Sequence, residues 1–284
     1  MHNMEFSLVL FTLLGQFSAG LIISLLVICL LRKSRAGAEL NRIIRNGIYI
    51  ATGTMIAAMI ISFFHLSSPI ASLYALSNLK YSWLSREILM VSLFTFLLLA
   101  TSALLYFGKQ KLKNQIIILS FAVVTGILMV YSMGRLYMIS TVPEWNTPST
   151  LISFFASTLV LGPAFILILF YRISARQPAQ DISNTFVAII ALVLIVNLIN
   201  LLFMGTEYYE ANIAFAPQND YNLQHGISWM LWLSGLAILT WQTYSPTKSH
   251  KKFLNYHFVV FTCFFIAEII SRVLFYQSFY RIGI

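Results

Sequence analysis

FSLVLFTLLGQFSAGLIISLLVICLL, residues 6–31, contains no charged side chain, and Arg32, Lys33 and Arg35 close it. A helix crosses the hydrocarbon core of a bilayer in about 20 mainly apolar residues. Inside hydrocarbon every amide and carbonyl needs a partner within the protein, which a helix supplies from its own backbone. The stretch therefore predicts a spanning helix. Glu5 lies before it and the positive charges lie after it, and it is too long for the apolar region of a secretory signal. It reads as a permanent first helix with its N-terminus outside.

Seven further runs of the same kind follow, at 48–64, 88–107, 116–139, 151–171, 185–204, 227–241 and 258–280, and only the runs at 116–139 and 258–280 hold a basic residue. Of the 284 residues 59% are hydrophobic and 10% charged, with a mean hydropathy of +0.81. Soluble proteins carry about 25% charge, so this one lacks the polar surface of a water-soluble globule. It reads as an all-α integral membrane protein, a single transmembrane domain over 1–284 built as an eight-transmembrane-helix bundle. Its 23 Phe and 14 Tyr exclude a disordered polypeptide. Cys29 and Cys263 lie inside apolar runs and no CxxC occurs, which excludes a disulfide scaffold and an iron–sulfur cluster held by this protein.

Lys and Arg collect in cytoplasmic loops. Thirteen of the 18 fall after the first, third, fifth and seventh runs, whereas Lys80, Arg86, Arg135 and Arg281 fall on the opposite side. That asymmetry predicts both termini on the outer, periplasmic side of a bacterial inner membrane. It also locates the net charge of +9, which topology and anionic membrane lipid explain without any nucleic-acid partner. Trp83, Trp145, Trp229 and Trp232 are expected at the outer interface and Trp241 at the inner one. The two long connections, 66–87 and 205–226, face outward, and long ordered loops tend to carry function.

The residues able to carry chemistry are few. His2, His65, His225, His250 and His257 are all expected at or beyond helix ends, so no pair of facing haem ligands is visible at mid-membrane. His65 closes the second run and Glu87 opens the third, which places both near one membrane surface. An imidazole and a carboxylate at such an edge can accept protons near neutral pH, although an interfacial His and a helix-capping Glu would use the same residues. Glu268 and Arg272 share one face of the last run at i, i+4 and can pair. Charges within a span are costly enough to suggest a role in function or in locking helices together. Asn197 and Asn200 suit interhelical hydrogen bonds. Pro163, after Gly162, is expected to kink its helix and open a lipid-facing cleft.

Several of these stretches together resemble the membrane-anchor subunits of anaerobic dimethyl sulfoxide reductases, the DmsC family. They are Phe11-Thr12-Leu13-Leu14-Gly15-Gln16, Phe64-His65-Leu66 with Pro69, Ser82-Trp83-Leu84-Ser85-Arg86-Glu87-Ile88, Thr141 to Thr147, Gly162-Pro163, and Glu268 with Arg272 and Phe275-Tyr276. The resemblance covers nearly the whole sequence. It implies eight helices, no haem, menaquinol as the bound substrate, and assembly with an iron–sulfur ferredoxin-like subunit and a molybdopterin catalytic subunit in anaerobic respiration. It also implies that His65 and Glu87 serve the quinol site, with Ser67, Arg86, Arg135, Glu268 and Arg272 as further quinol-binding candidates. Ser67 stands where the family commonly has glycine, and Ala71 where several members have arginine. Lys80, Arg86 or Arg135 could supply that charge instead. Two other readings compete: a polytopic small-solute transporter, and an inert anchor without a quinol site.

Overall fold

The computed structural model describes residues 2–31, 37–64, 74, 76–107, 112–173, 180–211, 222–244 and 250–278. Among them are eight α-helices: α1 (His2–Leu31), α2 (Ala38–Ser62), α3 (Trp83–Tyr106), α4 (Leu112–Tyr137), α5 (Pro148–Ile173), α6 (Gln180–Ala211), α7 (Asn222–Tyr244) and α8 (His250–Gln277). One 3₁₀ turn, Leu76–Asn78, precedes α3. Seven helices are long and apolar enough to cross a membrane; α7 is the exception. It is 23 residues long and holds no Asp, Glu, Lys or Arg, but Gln224 and His225 near its start and Gln242 near its end lower its hydropathy.

The helices extend past the charge-free runs, because their polar end turns remain helical beyond the apolar stretch. The largest differences are in α2 and α8, which begin at Ala38 and His250 rather than at 48 and 258. In α2, Leu40, Ile43, Ile44, Gly47 and Ile48 are buried on one face, while Arg42 and Arg45 point away. A search for charge-free sequence misses such an amphipathic start. α3 begins at Trp83, five residues before the predicted start, with Ser82 as its N-cap accepting from Ser85 N at 3.3 Å.

α1 and α5 form the inner pair: 72% and 67% of their apolar windows are buried, against 28% for both α3 and α6. α1 packs on α2, α4, α5 and α8, and α5 packs on α6 as well. Lipid is as apolar as leucine, so close packing and interhelical hydrogen bonds must hold spanning helices together. The closest approach is between Gly20 of α1 and Gly162 of α5, where a Cβ on either would run into the other helix's backbone. Pro163 is buried beside this contact. The Gly-Pro step therefore seats one helix on another and does not face lipid, contrary to the expected cleft. Hydroxyls tie other seams. Ser18 Oγ donates to Ala51 O at 2.8 Å, Ser228 Oγ to Ala267 O at 3.1 Å, and Thr52 Oγ1 lies 2.8 Å from Ser102 Oγ.

Asn200 accepts from Ser149 Oγ on α5 at 2.8 Å, as an interhelical role requires. Asn197 instead donates to Val193 O of its own helix at 2.9 Å. His257 corrects the expectation for helix-end histidines. It lies two turns inside α8, buried, with Nδ1 3.1 Å from Phe253 O and its ring against Phe253 and Tyr171.

Candidate functional site

Of the sequence-predicted residues, His65 and Ser67 lie outside the described residues. Glu87, Arg86, Arg135, Glu268 and Arg272 are described, and they fall into two groups.

The first group surrounds the start of α3. Ser82 caps the helix, so Glu87, in the second turn, is not needed as a cap. Its side chain is 5% exposed, which for an acidic residue demands a reason. It lies close enough to Tyr137 of α4 and Tyr276 of α8 to act on both electrostatically. The Tyr276 hydroxyl lies 3.2 Å from Tyr137 Oη and 3.4 Å from Thr12 Oγ1 of α1, its single hydrogen shared between these two acceptors. Around the tyrosines stand Trp145, Phe154 and Phe275, with Trp145 stacked on Phe275 at 5.3 Å and donating its indole N–H to Phe275 O at 2.8 Å. Trp145, in the connection between α4 and α5, is thus packed into the end of the bundle rather than exposed on its surface.

Arg86 and Arg135 both lie over the Trp83 ring, at 4.2 and 5.1 Å from its centroid. They differ in freedom. Arg86 is bound by its own loop, with Nε donating to Leu79 O at 2.9 Å and Nη2 to Lys80 O at 2.6 Å. Arg135 reaches the Met138 sulfur at 3.6 Å and keeps a buried Nε without a partner among the described residues. Ser85 Oγ and Thr147 Oγ1 are also buried and unpartnered there. All three lie at the end of the bundle where α3 starts and α4 stops. Unpaired buried donors are rare in finished cores. Three together at one end suit a ligand with oxygen acceptors, although Gln16, Gln242 and Arg272 also keep unpartnered buried atoms elsewhere among the described residues.

The second group lies in the core. Arg272 Nη2 donates to Gln16 Oε1 of α1 and to Ser157 Oγ of α5, both at 3.0 Å, and Ser157 Oγ donates to Glu268 Oε2 at 2.6 Å. The guanidinium stands 3.7 Å from the Phe154 ring centroid. The acid and base of α8 are therefore joined through Ser157, rather than by the direct pair that their spacing suggested. Both are almost fully buried. A cavity of about 60 Å³ adjoins Glu268 between α5, α6, α7 and α8, with Asn197, His225, Trp229 and Ser271 in its wall.

Sequence reading singled out the charged members of this network and gave no role to Gln16, Ser157, Thr12 or Tyr137. A periodic signal for them existed. Thr12, Gln16 and Gly20 recur every four residues along α1, and Glu268, Arg272 and Tyr276 do the same along α8, so each set lines one helix face.

The profile of the DMSO reductase anchor subunit (DmsC) family matches residues 1–277. The chain belongs to that family. Its relatives include the anaerobic dimethyl sulfoxide reductase subunit YnfH of Escherichia coli K12, 32% identical over 163 residues. That alignment covers 56% of this protein and spans 55% of the relative's length. The C subunit of anaerobic dimethyl sulfoxide reductase from the same organism is 27% identical over 284 residues, covering 98% of this protein and 96% of the relative. The corresponding C subunit from Haemophilus influenzae is 27% identical over 158 residues, covering 56% and 55%. An anchor family and seven apolar helices together describe a multi-pass membrane protein. The Arg272 network joins α1, α5 and α8, and Glu87 is a buried acid at the α3 end of the bundle.

Proposed function

We propose that this anchor subunit oxidises menaquinol at the end of the bundle where α3 begins, and passes the electrons to an iron–sulfur partner that serves a molybdopterin reductase. The observation that supports this most is Glu87: a buried carboxyl, relieved of capping by Ser82, within electrostatic range of two tyrosines and at the same end of the bundle as buried donors that lack partners among the described residues. Family membership supports the complex around it.

Oxidising a quinol to a quinone releases two electrons and two protons. Glu87 accepts one proton as its carboxylate becomes a carboxylic acid. His65, placed by sequence at the end of α2 on the same side, accepts the other. Arg135, with its free Nε, donates a hydrogen bond to a quinol oxygen. Both electrons leave for the partner's cluster, which must lie on the same side because the sequence offers no paired haem ligands or cluster motif to carry them across. In this reading all eight helices span the inner membrane, both termini are periplasmic, and the soluble subunits dock on the outer face over 66–87 and 205–226. Glu268 and Arg272 act as a fastening, since Ser157 bridges them and Gln16 of α1 accepts from Arg272.

The test uses the assembled complex in membranes, with Glu87→Gln and His65→Ala variants. A lost general base typically slows a reaction about 10²–10⁴-fold. The expected result is quinol-dependent reduction reduced on that scale with partner subunits still membrane-bound, and with reduction by an artificial soluble donor unchanged. Wild-type quinol turnover in both variants refutes the site and leaves an inert anchor.

A further inference from the structure

At the opposite end of the bundle, the first turns of α2 and the last turn of α5 enclose an open cleft of about 440 Å³. Its polar wall consists of Arg42, Asn46 and Tyr49 from α2 and Arg172 from α5, and Ile50 and Leu169 continue it toward the apolar middle of the two helices. We propose that this cleft is a binding site for one anionic glycerophospholipid, held by its phosphodiester between Arg42 and Arg172 with an acyl tail along Ile50 and Leu169.

Three observations carry the assignment. The cleft has two guanidiniums from different helices, and no carboxylate lines it among the described residues. Arg side chains bind phosphate oxygens through paired N–H groups, and basic pockets between spanning helices suit anionic headgroups. Both guanidiniums are exposed, and no hydrogen bond or ion pair engages them among the described residues, so their charge is available. Finally, the polar and apolar parts are ordered along the helix axes. Arg42, Asn46, Tyr49 and Ile50 climb α2 at helical spacing from its first turn inward, and Leu169 lies one turn inward of Arg172 on α5. That sequence of charge, hydrogen-bonding group and hydrocarbon follows the headgroup and tail of a lipid. A free phosphate ion would use only the outermost part.

The site also has a structural consequence. α2 and α5 touch each other less than either touches α1, so a lipid bridging their ends closes a seam that side chains leave open.

The experiment is native mass spectrometry of the delipidated full-length protein, with added phosphatidylglycerol or phosphatidylcholine of the same acyl composition. Each favourable arginine near a lipid surface corresponds to about fivefold in affinity. Phosphatidylglycerol should therefore bind preferentially, with Arg42→Gln and Arg172→Gln each lowering its retention about fivefold and the double variant about thirtyfold. Arg42→Lys and Arg172→Lys should retain part of the preference, and Arg45→Gln, a neighbour outside the cleft, all of it. Equal retention of the two lipids, or an undiminished preference in the double variant, overturns the assignment. So does displacement of the lipid by millimolar inorganic phosphate, which would reveal a simple anion site. Because these side chains are exposed at helix ends, the variants should fold normally, and an unchanged helical circular dichroism spectrum checks that.

Discussion

Replacing Gly162 with alanine tests how the core of the bundle is held. An ideal Cβ at Gly162 would lie 2.6 Å from Gly20 Cα, with the Gly20 carbonyl closer still, where ordinary contact begins at 3.4 Å. α1 and α5 must therefore separate by about 1 Å, enough to forfeit roughly a quarter to a half of the dispersion energy along that seam. Overpacking of this kind costs about 1–3 kcal/mol. The seam carries a second cost, because Gln16 of α1 and Ser157 of α5 hold the Arg272 guanidinium from two sides at 3.0 Å. Moving either by about 1 Å takes the bond beyond useful length. Weakening one hydrogen bond to a buried charge adds about 1.5–3 kcal/mol. For a protein of this size the expected fall in melting temperature is roughly 5–15 °C, read by fluorescence-detected size exclusion after heating detergent extracts. Gly20→Ala should behave alike. The double variant should lose less than the sum, since one separation relieves both clashes. Gly53 of α2 is the control: a Cβ there meets nothing within 4 Å, so Gly53→Ala should be neutral or slightly stabilising. A Gly162→Ala variant that melts with the wild type would show that the two backbones are not in contact in the membrane, and would remove the basis of the core description.

Arg272→Met should destabilise the bundle by about 3–5 kcal/mol, because it leaves Glu268 buried without its counter-charge. Adding Glu268→Gln should restore part of that, and strictly additive losses in a double-mutant cycle would contradict the Ser157-bridged arrangement. Trp145→Phe keeps the stack on Phe275 and removes the 2.8 Å bond to its carbonyl; Ser278 Oγ still donates to that carbonyl at 2.9 Å, so the expected loss is about 0.5–1.5 kcal/mol for one hydrogen bond, and an unchanged melting curve would show that the indole bond does not help hold this end of the bundle. Tyr137→Phe removes the nearer of two acceptors of the Tyr276 hydroxyl, leaving Thr12, and should cost about 0.5–1.5 kcal/mol, read from the same melting curves. Cysteines introduced at Asn3 and at Ser34 should react with a membrane-impermeant maleimide from opposite sides of intact cells, Asn3 from outside; the reverse labelling would invert the orientation drawn from the Lys and Arg asymmetry.

Spanning helices are legible in sequence because the bilayer imposes one rule on every residue inside it. That is why the eight apolar runs each fall on a helix, seven of them long and apolar enough to cross, and why the runs misplaced helix starts where the rule lapses. α2 enters through Leu40, Ile43 and Ile44, whose burial depends on a neighbouring helix and not on lipid, so the Arg and Asn residues between them hid the start. The start of α3 had the opposite problem. Its first turn has capping chemistry, Ser82 to Ser85 N, that hydropathy does not register. That difference of five residues changed the meaning of Glu87, from a residue at a helix entrance to a buried acid inside the helix. The partners of Arg272 were illegible for another reason: Gln16 and Ser157 lie 141 positions apart, and only the three-dimensional crossing of α1 and α5 brings them to one guanidinium.

That crossing links the two groups of polar residues. Thr12, Gln16 and Gly20 occupy one face of α1; Thr12 bonds Tyr276, Gln16 bonds Arg272, and Gly20 meets Gly162. Tyr276 in turn bonds Tyr137, which lies within electrostatic range of Glu87. One helix face thus runs from the tight glycine contact to the tyrosines that border the proposed quinol site. If the stripe is one mechanical unit, a strain introduced at Gly20 should reach Tyr276 and alter turnover as well as stability. The separating experiment uses Gly20→Ala complexes held well below their melting temperature. There the expected outcome is a changed quinol-dependent rate beside an unchanged rate from a soluble donor. If the quinol-dependent rate equals that of wild type, the glycine contact serves only to hold the bundle together, and Glu87 must be positioned from α3 and α4 alone.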